Sequence, residues 1–237
     1  MKATNCLIAS AVGLLSAVPS LAQTAGAGAS VPERVAALKQ SLAQSQQSLR
    51  AYQWVETTTV SYKGEQKSFK QESCYYGADG ALQKTLIASS PPPTKKPGLR
   101  GKIAESKKEE MTDTMKQAVA LVKSYVPPDP ALIERAVNAG KASVEIVQPG
   151  KVVRVVFRDY RLPGDALSIT MDLTNNRLTG INVATYLGKP SHPVDMNATM
   201  GTLADGTTYT AATQLGVKSA KLVVDVANSG YRRVGAM

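Results

Sequence analysis

The sequence predicts an α+β fold, one strongly twisted antiparallel sheet covered by two to three helices. Three observations carry this expectation. Residues 52–87 and 142–231 alternate apolar and polar side chains and are cut by short Gly, Asp and Asn turns, as hairpins require. Between the two blocks, apolar residues recur at helical spacing and leave stripes that need covering. A strand-rich chain interrupted by such helices fits one sheet layer against one helical layer.

Taken in order, Lys2, an apolar run over 7–18 and the small residues of Ser20-Leu21-Ala22 follow the plan of a secretory signal peptide. Residues 1–22 are therefore expected to be removed after Ala22, and the product to be exported into a periplasm. The run is too short to span a bilayer, so no transmembrane segment is expected in the mature chain. Residues 23–32 (QTAGAGASVP) read as a flexible leader, and 33–237 as a single domain.

Within that domain, Val35, Leu38, Leu42 and Leu49 mark an amphipathic helix over 33–50. The period then becomes two over 52–62, turns at Lys63-Gly64, returns over 67–76 and turns again at Ala78-Asp79-Gly80 into 81–87. Four prolines within 89–98 exclude a central strand or a regular helix. Met111, Met115, Ala118, Val122 and Tyr125 stripe a helix over 105–126, which Pro127-Pro128 ends. Asp129 then caps a second helix, with Pro130 at its first position, Leu132, Ile133, Ala136 and Val137 on its apolar side, and Gly140 closing it. From residue 142 onward the chain reads as five or six strands, to be added to the three before the proline-rich segment.

Export leaves 27 basic against 18 acidic residues once Lys2 is removed. The basic residues are densest at Lys95, Lys96, Arg100, Lys102, Lys107 and Lys108, a candidate contact for an anionic membrane surface or an acidic envelope partner. That cluster carries no interleaved aromatics and the chain has no zinc finger or basic zipper, so nucleic acid is not expected as a partner. Cys74 is the one cysteine left after cleavage, which excludes an intramolecular disulfide and favours a buried strand position.

Residue types that carry chemistry are sparse. His192, in a Ser-His-Pro loop, lies three residues from Asp195, but Zn²⁺ needs three or four protein ligands, so no metal or cofactor is expected. Cys74 with His192 has the composition of a nucleophile and base, yet Cys74 lies mid-strand, away from a helix terminus that lowers thiol pKa values. Pairing about Lys63-Gly64 brings Glu56 near Glu72, beside Trp54, Tyr75 and Tyr76, the makings of a glycosidase-like carboxylate pair. Solvated carboxylates on an open sheet face are the expectation for both, and the chain is not expected to be an enzyme.

The order helix, hairpin strands, proline-rich crossover, helices and long meander resembles the LolA-like periplasmic proteins, which include the outer-membrane lipoprotein carrier. The local likeness lies in Tyr76-Gly77-Ala78-Asp79-Gly80, in 168–183 with Met171-Asp172-Leu173 turning through Asn176-Arg177-Leu178, and in Asp205-Gly206-Thr207-Thr208-Tyr209 with the closing strand 223–232. This resemblance implies an unclosed barrel stoppered by helices around an apolar cavity. On a sheet that curls in this way, Leu167, Ile169, Met171, Ile181, Val183, Met196 and Met200, with Trp54, are the candidate ligand wall, and equally the residues of an ordinary core. The functional expectation is an exported protein that holds a hydrophobic ligand, a lipid or acyl group among them. The alternative is a non-catalytic envelope protein-interaction or structural module on the same fold.

Overall fold

The computed structural model of the protein describes residues 43–91 and 99–234, together with Gln40. Residues 43–49 are helical (α1). There follow β1 (Tyr52–Tyr62), β2 (Glu65–Tyr76), β3 (Leu82–Ser89), α2 (Leu99–Lys123) and α3 (Pro130–Asn138). The chain then runs through β4 (Ala142–Gln148), β5 (Val152–Arg158), β6 (Ala166–Asp172), β7 (Arg177–Tyr186), β8 (Pro193–Thr202), β9 (Thr208–Val217) and β10 (Leu222–Arg233). The expected signal peptide, the leader, the helical positions Val35, Leu38 and Leu42, and residues 92–98 of the proline-rich segment lie outside the described residues.

The ten strands form one antiparallel sheet in the order β3-β2-β1-β10-β9-β8-β7-β6-β5-β4. β1 and β10 are neighbours, in register from Tyr52↔Arg233 to Tyr62↔Leu222. This pairing joins the meander before the helices to the meander after them. β3 and β4 stand at the two ends of the order and do not pair, so the sheet is unclosed. In sequence the link between these two edges is the α2–α3 segment, which carries the helices over one face.

Turn chemistry explains the hairpins. Lys63 and Gly64 both have positive φ, 54° and 81°, as a primed two-residue turn requires, and Tyr62 faces Glu65 across it. In the β6–β7 turn the Asp172 carboxylate accepts from the backbone N–H of Thr174 and of Asn175 and from the Asn175 amide; these bonds, the amide's foremost, hold it below the usual carboxylate range. Asp129 caps α3 as the sequence predicts: its Oδ1 accepts from the Ala131 N–H at 2.9 Å, Pro130 opens the helix, and Gly140 follows at φ 67°.

Two boundaries differ from expectation. The second block holds seven strands, because Pro149-Gly150 splits its beginning into β4 and β5. β4 is an edge strand with Val144, Ile146 and Val147 exposed, so it lacks the buried alternation that marks a strand in sequence. α2 begins at Leu99, ahead of the expected 105, and ends at Lys123. Its described side chains from Lys102 to Glu110 are exposed, and burial begins with Met111 and becomes complete at Ala118 and Val122.

The inner face of the sheet is the buried one. Tyr52, Trp54 and Glu56 point inward from β1, and Leu222, Leu215, Met196, Val183, Leu167 and Phe157 continue that face strand by strand. Ala118 and Val122 of α2, Tyr125 and Val126 beyond it, and Ile133 and Ala136 of α3 pack on the β5–β10 part of it. Cys74 is fully buried on β2. Among the described residues no helix is long and apolar enough to cross a membrane.

Candidate functional site

The inner face divides into an apolar half beneath the helices and an aromatic, charged half around Trp54. In the apolar half, Leu167 and Val183 are fully buried, and Ile169, Ile181 and Met196 nearly so. Met171 and Met200 are half-buried and pack against the same cluster. Seven of the eight expected wall residues are thus brought together on β6, β7 and β8, and here they form the floor on which α2 and α3 rest. Trp54 lies on β1 in the other half.

Hydroxyl groups fix the helical layer over that floor. Tyr125, just past α2, donates to Asp165 Oδ2 at 2.5 Å, and its oxygen lies 2.8 Å from Thr185 Oγ1. All three side chains are buried. Burial first, and then the hydrogen bond to Asp165, push the Tyr125 phenol well above its ordinary range, so it acts as a neutral donor. Asp165 in turn accepts from the backbone N–H groups of Arg161 and Leu162. At the start of α3 the Asp129 N–H donates to Tyr160 Oη at 2.6 Å, and Arg135 Nη2 donates to the Tyr160 carbonyl at 2.8 Å.

Removing the Tyr125 hydroxyl isolates the link. Tyr125→Phe leaves the ring in place but takes a donor from a buried carboxylate, and is expected to cost about 1–3 kcal/mol. Urea denaturation checks this, and a stability within about 0.5 kcal/mol of wild type would show that the hydroxyl does not hold the layer.

The second half is built on a β-bulge. Opposite Trp54 the β1–β10 register shifts, and Gly230 at φ 64° supplies the extra residue. The bulge turns Tyr231 to the inner side, where it stacks on Trp54 with ring centroids 5.5 Å apart and planes 12° apart. Tyr76 lies 5.8 Å from Trp54, and Tyr209 4.4 Å and Tyr52 6.4 Å from Tyr231. The Trp54 indole N–H donates to Asn228 Oδ1 at 3.1 Å, and Asn228 Nδ2 donates onward to the Thr210 carbonyl. Sequence reasoning found Trp54 and Tyr76 but missed Tyr209, Tyr231 and Asn228. The isolated Gly230 inside a strand was the available signal.

Glu56 and Glu72 are direct cross-strand partners, as pairing about Lys63-Gly64 predicts. They are not the solvated pair expected: Glu56 is 5% and Glu72 9% exposed. Each has its own lysine, with Lys84 Nζ 2.6 Å from Glu56 Oε1 and Lys70 Nζ 2.5 Å from Glu72 Oε1. The correction has a plain physical cause. β1 is a central strand with neighbours on both sides, so its even-numbered side chains all turn into the molecule, and a charge there persists because a long lysine arm reaches it from β3.

At the mouth of this half Tyr52 Oη donates to Asp205 Oδ2 at 2.6 Å, and Arg233 Nη2 donates to the same oxygen at 2.8 Å. The tyrosine bond first, and then Arg233, hold the Asp205 carboxyl well below the usual carboxylate range. A carboxyl lowered by folding stabilises the native state above its unfolded pKa and loses that contribution as pH falls toward the folded value. Stability should therefore decline below about pH 4 more steeply in wild type than in Asp205→Asn. Acid titration followed by circular dichroism checks this, and parallel curves would refute it.

The remaining candidates are dispersed. His192 is exposed in the β7–β8 loop, Asp195 is paired with Lys218 at 3.0 Å, and three strands separate β8 from the Cys74 strand β2. Among the described residues no three His, Cys, Asp or Glu side chains are grouped to hold a metal. Lys102, Lys107 and Lys108 are exposed on α2. Arg100 is a residue of the same helix, and Lys95 and Lys96 lie outside the described residues.

No family model matches the chain, and no curated protein matches it. Among solved structures it is similar to a DUF1329 family protein from Desulfovibrio piger ATCC 29098, at 8% identity and a TM-score of 0.36, over 86% of this chain and 92% of that one. It is also similar to a LolA superfamily protein from Nitrosomonas europaea, at 6% identity and a TM-score of 0.32, over 80% of this chain and 88% of that one.

Proposed function

We propose that the protein is an exported, periplasmic binder of a hydrophobic ligand, an acyl chain or lipid among the fitting classes, held between the inner face of the sheet and the α2–α3 layer. The observation that carries this reading is the manner in which the apolar floor is covered. Leu167, Ile169, Ile181, Val183 and Met196 are buried under helices that attach through side chains, while the sheet is unclosed between β3 and β4. Helices seated by apolar packing and a few hydroxyl links can be displaced without breaking any strand pairing. An acyl chain taking their place regains about 0.8 kcal/mol for each methylene it buries. Methionines at 171, 196 and 200 suit a floor that changes partners. The signal-peptide pattern of residues 1–22 supports export.

A fluorescent fatty-acid analogue tests the reading. Saturable binding is expected, tighter in Tyr125→Phe, whose helical layer is released more easily, and lost in a folded Ile181→Asp. Binding that neither substitution alters would place the ligand elsewhere and sink the proposal.

One observation favours the alternative of a protein-interaction module. Both edges of the sheet expose large apolar side chains, Leu86 and Ile87 on β3 and Val144, Ile146 and Val147 on β4, a feature of strands that pair with another chain. Affinity capture from an envelope extract that fails when Ile146 becomes lysine, with acyl binding absent, would establish this second reading.

A further inference from the structure

The outer face of the sheet carries a groove of about 810 Å³ that the reading above does not use. It lies where the β1–β2 and β9–β10 turns meet β8, on the side opposite the helices. Lys63, Lys218 and Lys221 surround it, Gly64 and Gly216 leave backbone open to it, and Asn197 and Gln214 add side-chain amides.

Two of the four non-glycine residues with left-handed backbone among the described residues meet here. Lys63 has φ 54° and Lys221 φ 52°, both in the left-handed region that favours glycine or asparagine. The Lys63 N–H donates to the Lys221 carbonyl at 2.9 Å, so the two turns are tied together at these two residues. Lysine thus stands at the left-handed position of both adjoining turns, and the bond between them fixes where the two side chains leave the backbone. The charges are also unevenly met. Lys218 is paired with Asp195 at 3.0 Å, and Asp225 accepts from Gln214. Lys63 lies 5.3 Å from the Tyr62 ring centroid and feels the charge of Glu65, whereas Lys221 has no ion pair among the described residues. The groove therefore presents cationic groups in excess of its carboxylates, beside exposed glycine backbone.

We propose that this groove binds a phosphate-class anion, with Lys63 and Lys221 as its principal ligands and the Gly64 and Gly216 backbone admitting its close approach. Paired ammonium groups on a concave surface attract a multiply charged oxyanion more strongly than either does singly. The site is independent of the apolar inner face and stands whether or not that face binds a ligand.

Inorganic pyrophosphate titrated into the isotope-labelled protein tests the assignment by amide NMR. Saturable shifts are expected at Gly64, Gly216 and Lys221. The double variant Lys63→Gly/Lys221→Gly should bind at least tenfold more weakly while its Tm rises, because glycine accepts the left-handed backbone that lysine resists. Lys151→Gln, which removes an exposed lysine from the β4–β5 turn, should leave the affinity unchanged. Phosphatidylglycerol vesicles, compared with phosphatidylcholine vesicles, identify the source of the anion. Binding to the anionic vesicles through the same lysines assigns a lipid headgroup, and binding of pyrophosphate alone assigns a free phosphate compound. An absence of saturable shifts in the wild type, full affinity in the double glycine variant, or an equal loss in Lys151→Gln would each overturn the proposal.

Discussion

Lys84→Ala is expected to destabilise the protein by about 3–5 kcal/mol, a large share of the 5–15 kcal/mol typical of a folded domain. Glu56, 5% exposed on a central strand, loses the ammonium group 2.6 Å from its Oε1 and is left as a buried charge without that counter-ion. The penalty is chiefly desolvation of the orphaned carboxylate, not the lost attraction. A double-mutant cycle separates the two. Glu56→Leu combined with Lys84→Met removes both charges, keeps similar volume, and should recover most of the stability. Urea midpoints at neutral pH supply the measurement. A loss below about 1 kcal/mol in Lys84→Ala would mean that the pair behaves as an exposed one, and would contradict the inward orientation of β1.

Trp54→Ala should cost a similar amount, about 3–5 kcal/mol. Trp54 is 4% exposed and stacks on Tyr231, and its loss also leaves Asn228 without the indole donor. The damage should stay local: Tyr231 and Tyr76 lose their common partner, while the cluster under α2 and α3 keeps its own contacts. Trp54→Phe retains a stacking ring and should lose about half as much, on the order of 2 kcal/mol. Because the sequence has one tryptophan, wild-type emission reports this half of the inner face directly. A blue-shifted emission that moves red with the urea transition is expected. Water-exposed emission from the native protein would contradict the buried bulge.

What the sequence disclosed, and what it hid, follows from where each signal resides. β1 was legible to the residue, since a primed turn at Lys63-Gly64 fixes one end and β-branched alternation fixes the length. The α3 cap was equally clear, because Asp129-Pro130 and Gly140 act locally. Strand was legible from residue 142, but β4 was not counted as a strand of its own because an exposed edge strand has no buried face to impose alternation. The inward direction of Glu56 was hidden for a different reason. Its burial depends on β10 lying beside β1, a pairing between residues more than 150 positions apart, and on Lys84 reaching across from β3. Tyr231 required the bulge at Gly230, which only the register with β1 reveals. The apolar floor was legible as a set, since Leu167, Ile169, Ile181, Val183 and Met196 alternate on consecutive hairpins. Periodicity shows that such residues face inward together, but whether helices or a ligand cover them is decided by the tertiary layer.

Native mass spectrometry of the protein, purified without detergent and then challenged with a long-chain fatty acid, tests the central claim most directly. The account predicts a stoichiometric adduct, carried over or taken up from the added acid, that disappears in a folded Ile181→Asp variant. A bare mass before and after the challenge, with the wild-type fold intact, would contradict hydrophobic-ligand binding on the inner face.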